Sequence, residues 1–254
     1  MNKLTFVLLA LCSVSYGYAQ QDKIDSLKKH VAVHRSTRNQ IELAKSLYSL
    51  GSELIPSGQT SLALVSLDSA ATIYQSLGDS SGYAWCLYKI GYLHNLAGDY
   101  SKSFTHCLRA NSIASASSLN ILEGHCQNLL GRLYYLLNDE NSAMSLYEKA
   151  LITGKNENDK GLMAESMSYM AIVWRNRDSL FQAMQMNREA LILRKEIGDE
   201  TGLASSYLNI GILHSYLNQN DSAIYWLEKS EALCLKINDH FILVECYNYL
   251  GKVW

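Results

Sequence analysis

The chain has 254 residues, with 22 basic and 24 acidic side chains and a formal net charge of −2 when histidine is neutral. Binding to phosphate needs clustered Lys and Arg, so this balanced charge argues against nucleic acid as a partner. A chain of this length could form two globular domains, but an uninterrupted internal repeat favours one continuous array.

Residues 1–19 have the composition of an export signal. Lys3 gives a positive start, residues 4–11 are apolar apart from one threonine, and small residues precede a cleavage point after Ala19. We therefore expect a signal peptide and an exported protein, periplasmic or secreted. The apolar stretch is shorter than the about 20 residues of a bilayer-spanning helix, so no membrane span is expected in this chain. Lipid attachment at Cys12 is a less favoured alternative, because a large leucine precedes it.

Residues 20–40 carry apolar side chains at helical spacing. Ile24, Leu27 and Val31 recur every three or four residues, with Val33 close by. This spacing predicts one helix equivalent to the second half of a repeat. We expect it to form an N-terminal capping half-repeat that covers the first full unit.

Small residues then recur at one position every 40 residues, which predicts a repeat protein whose units bury their apolar faces by stacking. This column comprises Gly51, Gly91, Gly131, Ala171, Gly211 and Gly251. Two more columns are Ala63, Ser103, Ala143, Ala183 and Ala223, and Ala70, Ala110, Ala150, Ala190 and Ser230. The predicted solenoid covers 41–254, as units 41–80, 81–120, 121–160, 161–200 and 201–240 with a partial unit 241–254. An array that stops within a first helix leaves an apolar face uncovered, so we expect a C-terminal continuation of the native protein.

Each unit reads as a helical hairpin. Leu87, Ile90 and Leu93 follow the spacing of one helix face. We call the column from Gly51 to Gly251 the glycine column. Seven positions after each of its first five members stands a residue that commonly ends a helix or turns the chain, as Gly98 stands after Gly91. The sequence therefore predicts an all-α fold of antiparallel helical hairpins.

The run 204–232 resembles the tetratricopeptide repeat in an extended form of roughly 40 residues. The residues that carry the resemblance are Tyr207, Asn209, Ile210, Gly211, Tyr216, Asn218, Ala223, Leu227 and Ser230. Other units match with varying fidelity, over about residues 41–254. The resemblance implies a right-handed solenoid whose concave side binds peptide ligands. Members that bind chaperone tails use a Lys and Asn clamp, which the matching positions do not reproduce.

The sequence lacks the common catalytic motifs. No phosphate-binding loop, nucleophile elbow or His-Glu-x-x-His helix is present, so we predict no enzyme activity, no cofactor and no metal. His106-Cys107 and His125-Cys126 could supply four zinc ligands, but adjacent residues on one helix point about 100° apart. A Cys107–Cys126 disulfide is a second alternative, and buried thiols are the favoured interpretation.

A ligand-binding face can be located by helical geometry. Positions −6, −3, +1 and +4 relative to the glycine column lie away from the core on every first helix, and aromatic and charged residues fall on or beside them. Such residues suit recognition of a peptide or protein segment. The alternative is that the aromatic rings pack between helices. The predicted peptide-binding groove comprises Trp85, Tyr88, Tyr92, Asn128, Arg132, Tyr135, Glu165, Ser168, Arg175, Tyr216 and Asn248.

Two functions follow as expectations. The first is a scaffold that binds a protein or peptide ligand in the groove. The second is the periplasmic sensory region of a longer signalling protein, a histidine kinase or transcriptional regulator, truncated at Trp254. The second rests on the linker at 198–202, with its Gly-Asp-x-x-Gly pattern, which resembles linkers in exported sensor regions.

Overall fold

The computed structural model describes the backbone of residues 3–253 and the side chains of residues 20–253. Over this range the chain is all-helical, without a strand, which confirms the predicted fold class. The helices are α1 (Lys3–Ser36), α2 (Gln40–Leu54), α3 (Thr60–Ser76), α4 (Ser80–Leu96), α5 (Tyr100–Ala116), α6 (Asn120–Leu136), α7 (Glu140–Asn156), α8 (Lys160–Asn176), α9 (Leu180–Ile197), α10 (Glu200–Tyr216), α11 (Asn220–Ile237) and α12 (His240–Val253).

The signal peptide predicted for residues 1–19 lies outside the residues whose side chains are described. Among the described residues, none of the helices is both long enough and apolar enough to cross a membrane.

The helices group into two compact units. One comprises Tyr18–Asp139 and the other contains Glu140–Trp254, and we call them the N-terminal unit and the C-terminal unit. Within each unit, helices α2 to α6 and helices α7 to α12 pack mainly against their neighbours in sequence. Ile24 and Val31 of α1 are buried against α2 and α3, whereas Val33 is exposed.

Two glycines of the first small-residue column lie where a neighbouring helix approaches closely. A Cβ atom added to Gly51 would lie 2.6 Å from Cγ of Leu67, and one added to Gly211 would lie 2.8 Å from Cγ of Leu227. Both distances are too short for a real contact, so only glycine allows this packing. The other two columns are wholly buried at all ten positions, which are Ala63, Ser103, Ala143, Ala183, Ala223, Ala70, Ala110, Ala150, Ala190 and Ser230.

Every connection between helices contains one residue in the left-handed conformation, 20 residues after the previous one. Glycine adopts this conformation at no steric cost, and asparagine adopts it more readily than most residues. The residue that follows often caps the next helix, as Asp79 does by accepting a hydrogen bond from the Gly82 amide at 2.9 Å. The left-handed residues are Arg38, Gly58, Gly78, Gly98, Ser118, Asn138, Asn158, Asp178, Gly198, Asn218 and Asn238.

Candidate functional site

The N-terminal unit carries aromatic and amide side chains along one face of α4, which we call the α4 stripe (Trp85, Tyr88, Tyr92 and Asn95). Its members are three or four residues apart, so they share one side of the helix. Next to it, α6 presents His125 at the position equivalent to Trp85. The sequence prediction included the first three members of the stripe and omitted Asn95 and His125.

Three rings meet where α4 and α6 lie side by side. The Trp85 and Tyr88 ring centroids are 6.0 Å apart in an edge-to-face arrangement, and the His125 ring lies 5.9 Å from Trp85 and 5.7 Å from Tyr88. Such contacts add roughly 0.5–1.5 kcal/mol per aromatic pair beyond the area they bury. The cluster therefore holds the first turns of the stripe in a fixed arrangement.

Burial separates the predicted residues of this unit into two groups. Trp85, Tyr92, Arg132 and Tyr135 are half-buried and reach the surface. Tyr88 is buried with its ring in the cluster. Asn128 is wholly buried, with 0% of its surface exposed. Tyr88 and Asn128 thus lie beneath the surface in this structure, because neighbouring side chains cover them.

The α4 stripe contains one buried amide, that of Asn95, which forms no hydrogen bond with the rest of the chain. It is 3% exposed, and neither its Nδ2 nor its Oδ1 has a hydrogen-bond partner. Leaving a buried amide unpaired costs about 1–3 kcal/mol. A ligand group that can both donate and accept would remove this penalty once the side chains that cover Asn95 move aside. Asn95 occupies position +4 of its unit, so the helical geometry that placed Tyr135 and Arg175 in the groove also points to it.

A cavity of about 200 Å³ lies beside the stripe, lined by Tyr48, Tyr74, Gly82 and Trp85. The Tyr74 ring lies directly over Gly82, where an added Cβ would come 2.5 Å from Cδ1 of the ring. Burial raises the pKa of Tyr74 to about 12, and nearby Cys86 and Asp79 add to the shift. Burial also raises the pKa of Tyr48. The lining is therefore aromatic and uncharged at neutral pH.

The C-terminal unit holds the remaining predicted residues, and it brings two of them together. The Arg175 guanidinium of α8 lies 5.7 Å from the ring centroid of Tyr216 at the end of α10, within range of a cation–π contact. Glu165 is half-buried on the same face of α8, whereas Ser168 is buried and its Oγ has no hydrogen-bond partner. Asn248 is exposed on α12.

The cysteines considered as metal ligands or disulfide partners are buried free thiols. Cys107 Sγ donates to the backbone carbonyl of Cys126 at 3.3 Å. In the part of the chain with described side chains, no three His, Cys, Asp or Glu side chains are grouped so that they could hold a metal ion.

The fold and the sequence comparison define the class of protein. Residues 124–157, which lie in α6 and α7, match the family model of the tetratricopeptide repeat. Over these residues the chain matches a tetratricopeptide repeat, as the resemblance predicted, and its all-helical fold is similar to that of known tetratricopeptide-like proteins. No curated protein sequence matches the chain.

Several solved structures have a similar fold. The chain is similar to NprR in complex with its cognate peptide NprX, with a TM-score of 0.72 and 14% identity over 97% of this chain and 74% of that chain. It is similar to a Rap protein complexed with Competence and Sporulation Factor, with a TM-score of 0.67 and 14% identity over 95% and 73% of the two chains. It is also similar to aspartyl phosphate phosphatase F from Bacillus subtilis, with a TM-score of 0.64 and 17% identity over 87% and 59%. At these identities the likeness concerns the fold.

Proposed function

We propose that this protein is a scaffold that binds an extended peptide or protein segment against the α4 stripe. The observation that carries the proposal is the buried Asn95 side chain, whose amide makes no hydrogen bond, on the same helix face as Trp85 and Tyr92. The backbone of an extended segment offers N–H donors and C=O acceptors, which are the two partners that this amide lacks. Half-buried aromatic side chains beside it supply contact area at low cost in side-chain entropy.

The cavity next to the stripe would anchor one side chain of the segment. Its volume of about 200 Å³ and its lining of Tyr48, Tyr74 and Trp85 suit an apolar or aromatic side chain. Because the lining carries no charge at neutral pH, a charged side chain would lose its hydration there without gaining a partner. We therefore expect the ligands to share an apolar residue at one fixed position.

The similar structures support this proposal at the level of the fold. NprR is described with a cognate peptide and a Rap protein with Competence and Sporulation Factor, so this arrangement of helices can hold such ligands. The ligand's identity in this protein follows from its own side chains, which differ at most positions from those of NprR and the Rap protein.

Selection from a random peptide library displayed on phage, followed by calorimetry with the synthetic peptides, tests the proposal. We expect Asn95→Ala and Trp85→Ala each to weaken binding of the selected peptides at least about fivefold, because each removes a stripe contact worth about 1–3 kcal/mol. Tyr100→Ala is the matched control, since Tyr100 is an exposed aromatic residue of α5 outside the stripe. It should leave the affinity unchanged.

Circular dichroism and thermal unfolding of the variants establish that they remain folded. If Asn95→Ala and Trp85→Ala stay folded and bind the selected peptides as the original chain does, the α4 stripe is not the binding site. Peptides that share no apolar position would overturn the assignment of the cavity as an anchor.

The proposal assigns binding and no reaction to the chain. One similar structure is an aspartyl phosphate phosphatase, so hydrolysis of an acyl phosphate such as acetyl phosphate is the relevant enzymatic assay. We expect no release of phosphate above the uncatalysed rate. Release that scales with protein concentration would contradict a role limited to binding.

We also propose that the chain is exported, on the basis of the pattern in residues 1–19. N-terminal sequencing of the protein from expressing bacteria should find Gln20 as the first residue, and an intact leader would contradict this. The linker at 198–202 adds no support for a sensory role, because local geometry explains it. Gly198 is left-handed and ends α9, and Asp199 caps α10 by accepting from the Gly202 amide at 2.9 Å.

A further inference from the structure

Three aromatic rings converge on one positive charge in the C-terminal unit. The Lys229 Nζ lies 4.5 Å from the ring centroid of Tyr225, 5.1 Å from that of Trp226 and 5.8 Å from that of Tyr207. All three distances fall within about 6 Å, the range in which the negative face of a ring attracts a cation. We call the three rings the aromatic cage (Tyr207, Tyr225 and Trp226).

The cage is built by the two helices of one hairpin. Tyr225, Trp226 and Lys229 lie on α11, where a spacing of three and four residues puts the lysine over the preceding turn, and Tyr207 reaches across from α10. The Tyr207 and Trp226 rings are 5.6 Å apart and inclined by 31°, whereas Tyr225 stands edge-on to Trp226 at 5.3 Å and 77°. The Tyr207 and Trp226 rings are thus closer to parallel, and the Tyr225 ring stands nearly perpendicular to that of Trp226.

The Lys229 ammonium is held by the three rings and not by an ion pair. In the part of the chain with described side chains, no carboxylate lies within 4.0 Å of Lys229 Nζ. Lys229 is exposed, and Tyr225 is 53% exposed, so solvent and ligands can reach the cage. A primary ammonium is strongly hydrated and gains little from an exposed aromatic site, where a cation–π contact contributes about 0.5–1 kcal/mol. Another cation can therefore displace it.

We propose that the aromatic cage is a binding site for a methylated ammonium group, and that Lys229 is a built-in occupant that the ligand replaces. A methylated ammonium keeps the positive charge that the rings attract but is less hydrated than the lysine ammonium, so it loses less on leaving water. Its methyl groups also present apolar surface to the rings. The site is independent of the α4 stripe, which belongs to the other unit.

A titration with tetramethylammonium chloride tests the site. The readout is the indole N–H signal of Trp226 in nitrogen-15 NMR spectra, assigned with the variant Trp226→Phe, and sodium chloride at equal ionic strength is the control. We expect a saturable shift with tetramethylammonium alone. We also expect at least threefold tighter binding by Lys229→Ala, because the competing ammonium is gone, and at least threefold weaker binding by Tyr225→Ala. A shift of the same size with sodium chloride, or equal affinity in Lys229→Ala and the original chain, would overturn the proposal.

Two further ligands distinguish the source of the methylated ammonium. Choline represents a free small molecule, and a short peptide containing trimethyllysine represents a modified protein, with the same peptide bearing unmodified lysine as its control. Tighter binding of the trimethyllysine peptide than of choline indicates a protein source, and the reverse order indicates a small molecule. If the unmodified peptide binds as tightly as the trimethylated one, the assignment to methylated ammonium is wrong. Tyr225 is exposed, so its substitution should leave the fold intact, which circular dichroism verifies.

Discussion

The imidazole rings of His94 and His106 stack almost parallel, with their centroids 5.5 Å apart and their planes inclined by 11°. His94 belongs to α4 and His106 to α5, and both are half-buried. Burial lowers the pKa of His106, and a positive charge on His94, Arg109 or Lys102 lowers it further, whereas Asp68 opposes the shift. The stacked pair therefore packs best when His106 is neutral.

This relationship predicts how stability depends on pH. The unfolded chain gains its proton on His106 near the ordinary pKa of about 6.5, and the folded chain gains it only at lower pH. The contribution of His106 to the free energy of unfolding is thus fully present above pH about 6.5 and is lost as pH falls toward the folded-state pKa. Urea unfolding of His106→Gln at pH about 7.5 and 5.5 should show a smaller loss of stability on acidification than the original chain shows.

The exposed His240 provides the control for this prediction. His240→Gln should lose as much stability between the two pH values as the original chain does. An unchanged loss in His106→Gln would show that other groups cause the pH dependence.

Two glycines of one column should respond to the same substitution with opposite sign. A Cβ on Gly211 would meet Cγ of Leu227 at 2.8 Å and its backbone nitrogen at 3.2 Å, whereas one on Gly251 would meet nothing within 4 Å. We expect Gly211→Ala to lower the free energy of unfolding by about 1–3 kcal/mol through overpacking. Gly251→Ala should raise it by about 0.5–1 kcal/mol, because alanine favours the helix. Urea unfolding measures both, and a loss of equal size in the two variants would contradict the packing explanation.

The left-handed positions between helices predict a second pair of opposite effects. Ser118 has φ +54°, which costs a residue with a side chain roughly 1 kcal/mol, while Gly98 has φ +78° at the equivalent point of another connection. Ser118→Gly should therefore raise the melting temperature, and Gly98→Ala should lower it. No atom lies within 4 Å of a Cβ added to Gly98, so strain in the backbone is the cause of its effect. A lower melting temperature in Ser118→Gly would contradict this account.

The fold could be predicted from the sequence because the same features recur in successive repeats. These features are the small residues at close contacts between helices and the residues that end the helices. Gly51 and Gly211 are 160 positions apart and meet the same leucine of their own hairpin, Leu67 or Leu227. A pattern of small residues with a constant period therefore reports on real contacts. The end of a helix is predictable for the same reason, since each left-handed residue stands 20 positions after the last.

The candidate site was less predictable, since a helical wheel gives the direction of a side chain and not its depth. Asn128 and Ser168 lie on the predicted face and are nevertheless buried, because side chains from neighbouring helices cover them. Asn95 satisfies the same geometry, but the sequence gives no sign that its amide lacks hydrogen-bond partners. The aromatic cage could not be found by that reasoning, because Tyr207 lies four residues before Gly211, outside the positions assigned to the groove. Its ring meets Trp226 only when α10 and α11 pack together.

The buried thiols should differ in reactivity in an order that their surroundings set. Burial raises the pKa of Cys86 to about 12, with Asp79 and Asp68 adding to the shift, so only about one molecule in ten thousand carries the thiolate at pH about 8. A hydrogen bond from Cys234 lowers the pKa of Cys246, although burial opposes this shift. Iodoacetamide should therefore modify Cys246 before Cys86, as mass spectrometry of the peptides will show. In denaturant the two should react at the same rate, and labelling of Cys86 before Cys246 in the folded protein would refute this order.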